Sequence, residues 1–166
     1  MNKYFFKIIV SLFVLSFSVF VSVSFVVRPV KVNDNAMYPA YKKDSYILVN
    51  VFNKTTSKIS KGDVVVVKTN DGYKVRRIIA LPRTKIKMVN DELYLSDNRA
   101  FEEYLNQEYM ASKSHPFTKD FYAETGENEY FVMGDNRDDS FDSRNGMGVI
   151  NKKDIISAGV FIGGDK

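Results

Sequence analysis

The chain has 166 residues, 24 Lys plus Arg against 20 Asp plus Glu, no Cys, no Trp and one His. That excludes a disulfide framework, a Cys-based zinc site, an Fe–S cluster, a thiol nucleophile and a His-rich metal site. The formal charge of +4 falls to +2 once Lys3 and Lys7, which precede a long apolar run, are set aside. So small a surplus gives no argument for nucleic acid as a partner.

From Ile8 to Val27 there is no charged residue, Gly or Pro. At 1.5 Å per residue that run spans about 30 Å, the depth of a bilayer hydrocarbon core. A buried core helix is the poorer reading, because nothing later in the chain is large enough to wrap a helix apolar on every side. A cleaved signal peptide is the stronger rival, since Ser22-Val23-Ser24 has the small-x-small form. Phe25-Val26-Val27 continues the apolar run through it, which favours an uncleaved anchor. The short head with Lys3 and Lys7 is expected in the cytoplasm, by the positive-inside rule. Residues 1–28 are read as head plus transmembrane segment, and 29–166 as one extracytoplasmic domain. Arg28 to Asp34 reads as a short link that holds this domain near the membrane.

The remaining segments read as strands. Tyr46 to Phe52 and Asp63 to Lys68 are β-rich, and Asn70-Asp71-Gly72 turns the chain into a run from Tyr73 to Leu81. Lys85 to Val89 alternates, Asn90-Asp91 signals another hairpin, and Glu92 to Leu95 follows. Glu129 to Met133 and Ile155 to Ile162 complete the set. Ser96 to Glu127 carries weak signals and reads as a long, partly irregular excursion. The expectation is a mainly β domain, a sandwich or folded barrel, behind one helix.

The densest motif is Gly134-Asp135-Asn136-Arg137-Asp138-Asp139-Ser140-Phe141-Asp142-Ser143-Arg144-Asn145-Gly146. As a calcium loop it fails, because Ser143 stands where the helix-loop-helix pattern needs Gly and no Glu closes it. As a solvated turn it is unusual: Asp142 and Arg144, two apart, would share a strand face and suit a half-buried ion pair. His115, before Pro116, reads as a surface loop residue.

This box resembles the C-terminal signature of bacterial type I signal peptidases, roughly GDNRxxSxDSRxxG, at every fixed position through Arg144, with the closing Gly one residue early at Gly146. Asn35-Ala36-Met37-Tyr38-Pro39 resembles the family's x-S-M-x-P box. Lys61 to Val66 resembles its GDiVvf strand, and Arg76-Arg77-Ile78-Ile79-Ala80-Leu81-Pro82 its K-R-V-I-G-L-P box. The resemblance implies a signal-peptidase-like folded β-sheet behind one transmembrane helix. It also implies a membrane-anchored serine endopeptidase with a Ser/Lys dyad, neither metal nor cofactor, and secretory precursors as partners. Serine becomes a nucleophile when a base takes its proton, and lysine serves as base when burial lowers its pKa. Here the nucleophile position is Ala36, which has no side-chain oxygen. The base position is Arg76, and arginine keeps its proton in proteins. Both halves of the dyad are absent.

By the same resemblance Ser140 would lie beside the base position, with Asp142 and Arg144 as support. Met37, Pro39 and Lys74 are the groove candidates, Lys74 being also the one alternative base, about 6–7 Å along the strand. Asp44-Ser45 where the family favours Gly-Asp, Ala80 for Gly, and Arg83 for Gly point to natural divergence. The chain resembles signal-peptidase-like proteins of Gram-positive bacteria that lack the dyad and accompany sortase-assembled pili. For those, a chaperone-like role toward a membrane-held pilin is implied, with the sortase machinery as a further partner. An active type I signal peptidase is the alternative.

Overall fold

The computed structural model describes residues 3–50, 58–105, 108, 111–112, 118–158 and 160–162. Helix α1 covers Lys3–Val26. From Lys3 to Phe20 it is exposed along its whole length, and it is long and apolar enough to cross a membrane. A helix this apolar cannot hold that surface in water, so its partner is lipid or another apolar face.

The chain then runs straight into strand β1, Val27–Lys31. The segment expected to be a link is therefore largely strand. β1 pairs antiparallel with β2, Tyr46–Asn50, with Pro29 opposite Leu48. Pro is tolerated there because β1 is an edge strand, and an edge strand has backbone donors to spare. Strand β2 buries Ile47 and Val49 and turns its alternate residues outward, as a period of two requires.

A second sheet carries β3 (Val64–Thr69), β4 (Gly72–Ala80), β9 (Glu129–Met133), β10 (Ile150–Asn151) and β11 (Ile155–Ala158), in the order β10-β9-β4-β3-β11. Four successive valines of β3 are buried because both its faces are covered. Val65 and Val67 join Ile78, Val132 and Ile155 in one core. Val64 and Val66 join Met37, Ile47, Val49 and Val75 in another, against the first sheet. The third sheet has β5 (Lys85–Val89), β6 (Glu92–Leu95), β7 (Asn98–Arg99) and β8 (Phe121–Glu124), in the order β7-β6-β5-β8. Ile86, Met88 and Leu93 pack with Ile79, Phe131 and Met133. β4 thus serves three cores and is the spine of the domain.

The mainly β reading holds, with two differences. The stretch expected as one strand from Ile155 to Ile162 is two. β11 pairs with β3, and β12 (Val160–Ile162) pairs with β2, so this segment joins two sheets. The excursion after Ser96 contributes β7 and β8 to a sheet. His115 and the end of the run expected from Tyr46 lie outside the described residues.

Asn90 and Asp91 both have positive φ, 49° and 61°, as a two-residue hairpin of this hand needs. Asp44 (φ 67°) and Arg83 (φ 59°) also lie in the left-handed region, at the places where the motif comparison expects Gly. Exposed Arg83 pairs with Glu127, a surface contact worth about 0–1 kcal/mol. Arg83→Gly removes a left-handed non-Gly residue, and thermal melts should show it neutral or stabilised by about 1 kcal/mol.

Candidate functional site

The loop between β1 and β2 makes a tight turn at Asn35-Ala36-Met37-Tyr38. Tyr38 N donates to the Asn35 carbonyl at 3.0 Å and Tyr41 N to the Met37 carbonyl at 2.8 Å. Met37 anchors the turn, with no exposed surface, in the core between the first two sheets. As a groove candidate it therefore offers nothing for a ligand to touch. Pro39 follows a cis peptide bond and is half-buried.

The Gly134–Gly146 box, leaving β9, closes over this turn. Asn136 N donates to the Ala36 carbonyl at 2.9 Å, and Asn136 Nδ2 to the Asn35 carbonyl at 3.2 Å. Gly134 is required by this approach. A Cβ there would collide with the Ala36 carbonyl oxygen and with the Ser140 side chain, whose Cβ would be 2.8 Å away. Gly134→Ala should cost about 1–3 kcal/mol as the backbone shifts. Chemical denaturation with an unchanged midpoint would contradict this close packing.

Inside the box, the Asp142 carboxylate is fully buried. Its Oδ1 accepts from Arg144 N (3.0 Å) and Nε (2.9 Å). Its Oδ2 accepts from Arg144 Nη2 (2.8 Å), Ser140 Oγ (2.7 Å) and Gly134 N (3.0 Å). Burial pushes the Asp142 carboxyl up, but Arg144, Ser140 and Gly134 together outweigh it and hold it below its ordinary value. Arg144 also donates to Thr118 Oγ1 and to the Arg137 carbonyl. The expected pair is present, but in a turn and not on a strand face. Its side chains meet because the chain curls around the carboxylate. Ser143 caps β9: Val132 N donates to its Oγ at 3.0 Å. Across the box Arg77 grips Asp135 with two nitrogens and lies 4.4 Å over the Tyr104 ring. Arg137 takes Glu102 in the same two-pronged way.

Arg76 and Lys74 alternate along β4 and reach the same carboxylate. Arg76 has no exposed surface. Its Nη1 and Nη2 donate to Asp34 Oδ1 and Oδ2 at 3.0 and 2.9 Å. Its Nε and Nη2 donate to the Phe141 carbonyl at 2.9 and 2.7 Å, and Nη1 also to the Val75 carbonyl. Lys74 Nζ lies 3.3 Å from Asp34 Oδ2. The N–H of Ala36 donates to Asp34 Oδ1 at 3.2 Å. Burial raises the Asp34 carboxyl, and Arg76, the Ala36 N–H and Lys74 more than reverse this, leaving it below its ordinary value. Ala36 and Arg76 are thus brought to one point, joined by a carboxylate.

Asp34 is the residue that motif reading missed. A signal existed: a buried arginine needs an anionic or carbonyl partner, and Asp34, the first acidic residue of the chain, stands two residues before Ala36. Ser140 is tied to Asp142 and does not reach Arg76 by any bond in the structure; the Phe141 carbonyl does. Among the described residues no group of His, Asp or Glu is placed to hold a metal ion.

Beside the site, Pro29, Val30, Lys31, Asn33, Val66 and Tyr73 line a cleft of about 240 Å³. One wall is β1, an edge strand; the other carries Tyr73 of β4, Val66 of β3 and Ile156 of β11. Before Arg77, β4 pairs with β3 on one side, and β9 joins its other side from Arg77 onward. Asn33 Nδ2 reaches the Tyr73 carbonyl at 3.4 Å.

This geometry has relatives. The chain is 37% identical over 143 residues to signal peptidase I S of Bacillus subtilis, covering 84% of this chain and 78% of that protein. It is 40% identical over 133 residues to signal peptidase I U of the same organism, covering 78% and 71%. The fold matches a crystal structure of a signal peptidase I from Enterococcus faecalis with a TM-score of 0.55 and 27% identity, over 61% of this chain and 97% of that one. The family model described as signal peptidase, peptidase S26, matches residues 5–163, and with a box that closes over the Ala36 turn the chain belongs to that family.

Proposed function

We propose that this chain is a membrane-anchored, non-catalytic signal peptidase homologue that holds a membrane-tethered precursor without cutting it. The observation that carries the reading is the pairing of Ala36 with a locked Arg76. Residue 36 offers no hydroxyl, and the group opposite it is a guanidinium bound to Asp34 and Phe141. Acyl transfer needs a nucleophile and a base that can exchange a proton, and neither is here. Lys74, the alternative base, is engaged with Asp34.

The binding half of the reading rests on the cleft. β1 borders it as an edge strand, so an extended peptide can add along β1 as a further strand. Tyr73, next to Lys74 in sequence, lines it and presents an exposed ring. With residues 29–166 outside the membrane, this cleft meets a pilin as it emerges, in a chaperone-like step before sortase acts. In cells that assemble pili, Tyr73→Asp should stop pilus polymerisation while the variant accumulates normally in the membrane. Unchanged polymerisation would remove the pilin from the proposal. Failure of a photo-crosslinker at position 73 to capture any precursor would remove the binding role.

A further inference from the structure

Asp34 does more than pair with Arg76. Its two oxygens accept from Arg76 Nη1 and Nη2, from the Ala36 N–H, and lie within ion-pair reach of Lys74. We propose that Asp34 is the residue that holds this site silent, a third obstacle beside Ala36 and Arg76 that restoring the dyad alone does not remove. The proposal rests on the non-catalytic reading above.

The effect is electrostatic. A serine acyl-transfer site needs a neutral base and backbone N–H donors aimed at the oxygen that becomes negative in the transition state. Asp34 works against both. Its Oδ1 occupies the N–H of residue 36, the residue at which the nucleophile would stand, and puts negative charge where more negative charge would develop. Its carboxylate also favours the charged form of any cation at position 76. Arginine suits that carboxylate because its planar fork meets both oxygens at once. A lysine at position 76 would face Asp34 from the β1–β2 loop, the Phe141 carbonyl from the box and Lys74 from its own strand. The first two hold its proton on; Lys74 opposes them.

In a restored site the serine Oγ bonds to the scissile carbonyl carbon while its proton passes to the lysine Nζ. The C–N bond then breaks as that proton moves to the leaving nitrogen. Water then gives a proton to the same Nζ as its oxygen bonds to the acyl carbon; the C–Oγ bond breaks as that proton passes from Nζ to the serine oxygen, releasing the carboxylic acid. Each transfer to Nζ requires it unprotonated at the start, which Asp34 resists.

The test uses the full chain in lipid vesicles with a secretory precursor. Three forms are compared: the wild type, Ala36→Ser with Arg76→Lys, and that double variant with Asp34→Ala added. Asp34→Asn in the same background removes the charge at nearly constant shape. The double variant should cleave barely above background at neutral pH and improve in alkali. Adding Asp34→Ala should raise the neutral-pH rate by roughly 10- to 1,000-fold, the range set by a one-to-three-unit pKa shift, and move the pH–rate profile to lower pH. Titration of the introduced lysine by NMR should show its midpoint lower by at least about one unit once Asp34 is gone. Equal rates and profiles with and without Asp34, an unmoved midpoint, or a folded triple variant that stays inactive would each overturn the proposal. Cleavage by the wild type would instead overturn the non-catalytic reading, so the two failures are distinct.

Discussion

Arg144→Ala is expected to lower domain stability by about 3–5 kcal/mol, because it strands a carboxylate that has no exposed surface. In a domain of this size that is a fall in Tm of roughly 10–20 °C. Asp142 would keep Ser140 Oγ and Gly134 N but lose its charged partner, and Thr118 and the Arg137 carbonyl would lose theirs. Arg144→Lys should recover only part of the loss, since an ammonium cannot bind both carboxylate oxygens in a plane. The pH dependence has a definite sign. Asp142 in the folded chain lies below its ordinary value of 3.8, so its contribution is full above that pH and fades as the pH falls through the lower, folded value. The gap between wild type and Arg144→Ala should therefore be widest near neutrality and shrink in acid. A gap that stays constant down to pH 2 would mean the ion pair is not its source.

The full chain should remain with membranes after high-salt and carbonate washes, whereas a chain begun at Arg28 should be soluble. The cause is the exposed apolar surface of α1, with no protein face against it from Lys3 to Phe20. Val14→Arg, near the middle of that helix, adds about 2.5–3.5 kcal/mol to the apparent cost of insertion and should shift a visible share of the chain out of the bilayer. Orientation is testable with the same protein, since it has no cysteine of its own. Lys119→Cys, on an exposed residue of the β domain, should react with a membrane-impermeant maleimide in intact cells. Reaction only after lysis would put the domain in the cytoplasm and contradict its proposed place.

Much of the fold was legible because local chemistry dictates it. Asn70-Asp71 and Asn90-Asp91 fix two hairpins, and Lys85 to Val89 and Glu129 to Met133 form strands over the same residues that their patterns predict. What escaped was tertiary. Val27 to Lys31 contains Pro29 and two cations, so it lacks a strand pattern, and it is a strand because the β2 edge pairs with it. The change of sheet between β11 and β12 escaped because a β-rich run does not say which strand each half will pair with. At the site, spacing located the box and the positions of Ala36 and Arg76. It did not reveal Asp34, because the contact joins residues 42 apart in sequence. Nor did it reveal the Phe141 carbonyl, since a backbone acceptor carries no residue-type signature.

The site is proposed to bind and not to cut. The most direct measurement is cleavage of a secretory or pilin precursor by the wild-type chain reconstituted in lipid, beside an active signal peptidase I as control. The account predicts precursor bound and intact after the control has processed all of its own. Processed product from the wild-type chain, at any rate above an empty-vesicle blank, would contradict it and return attention to Lys74 as the base.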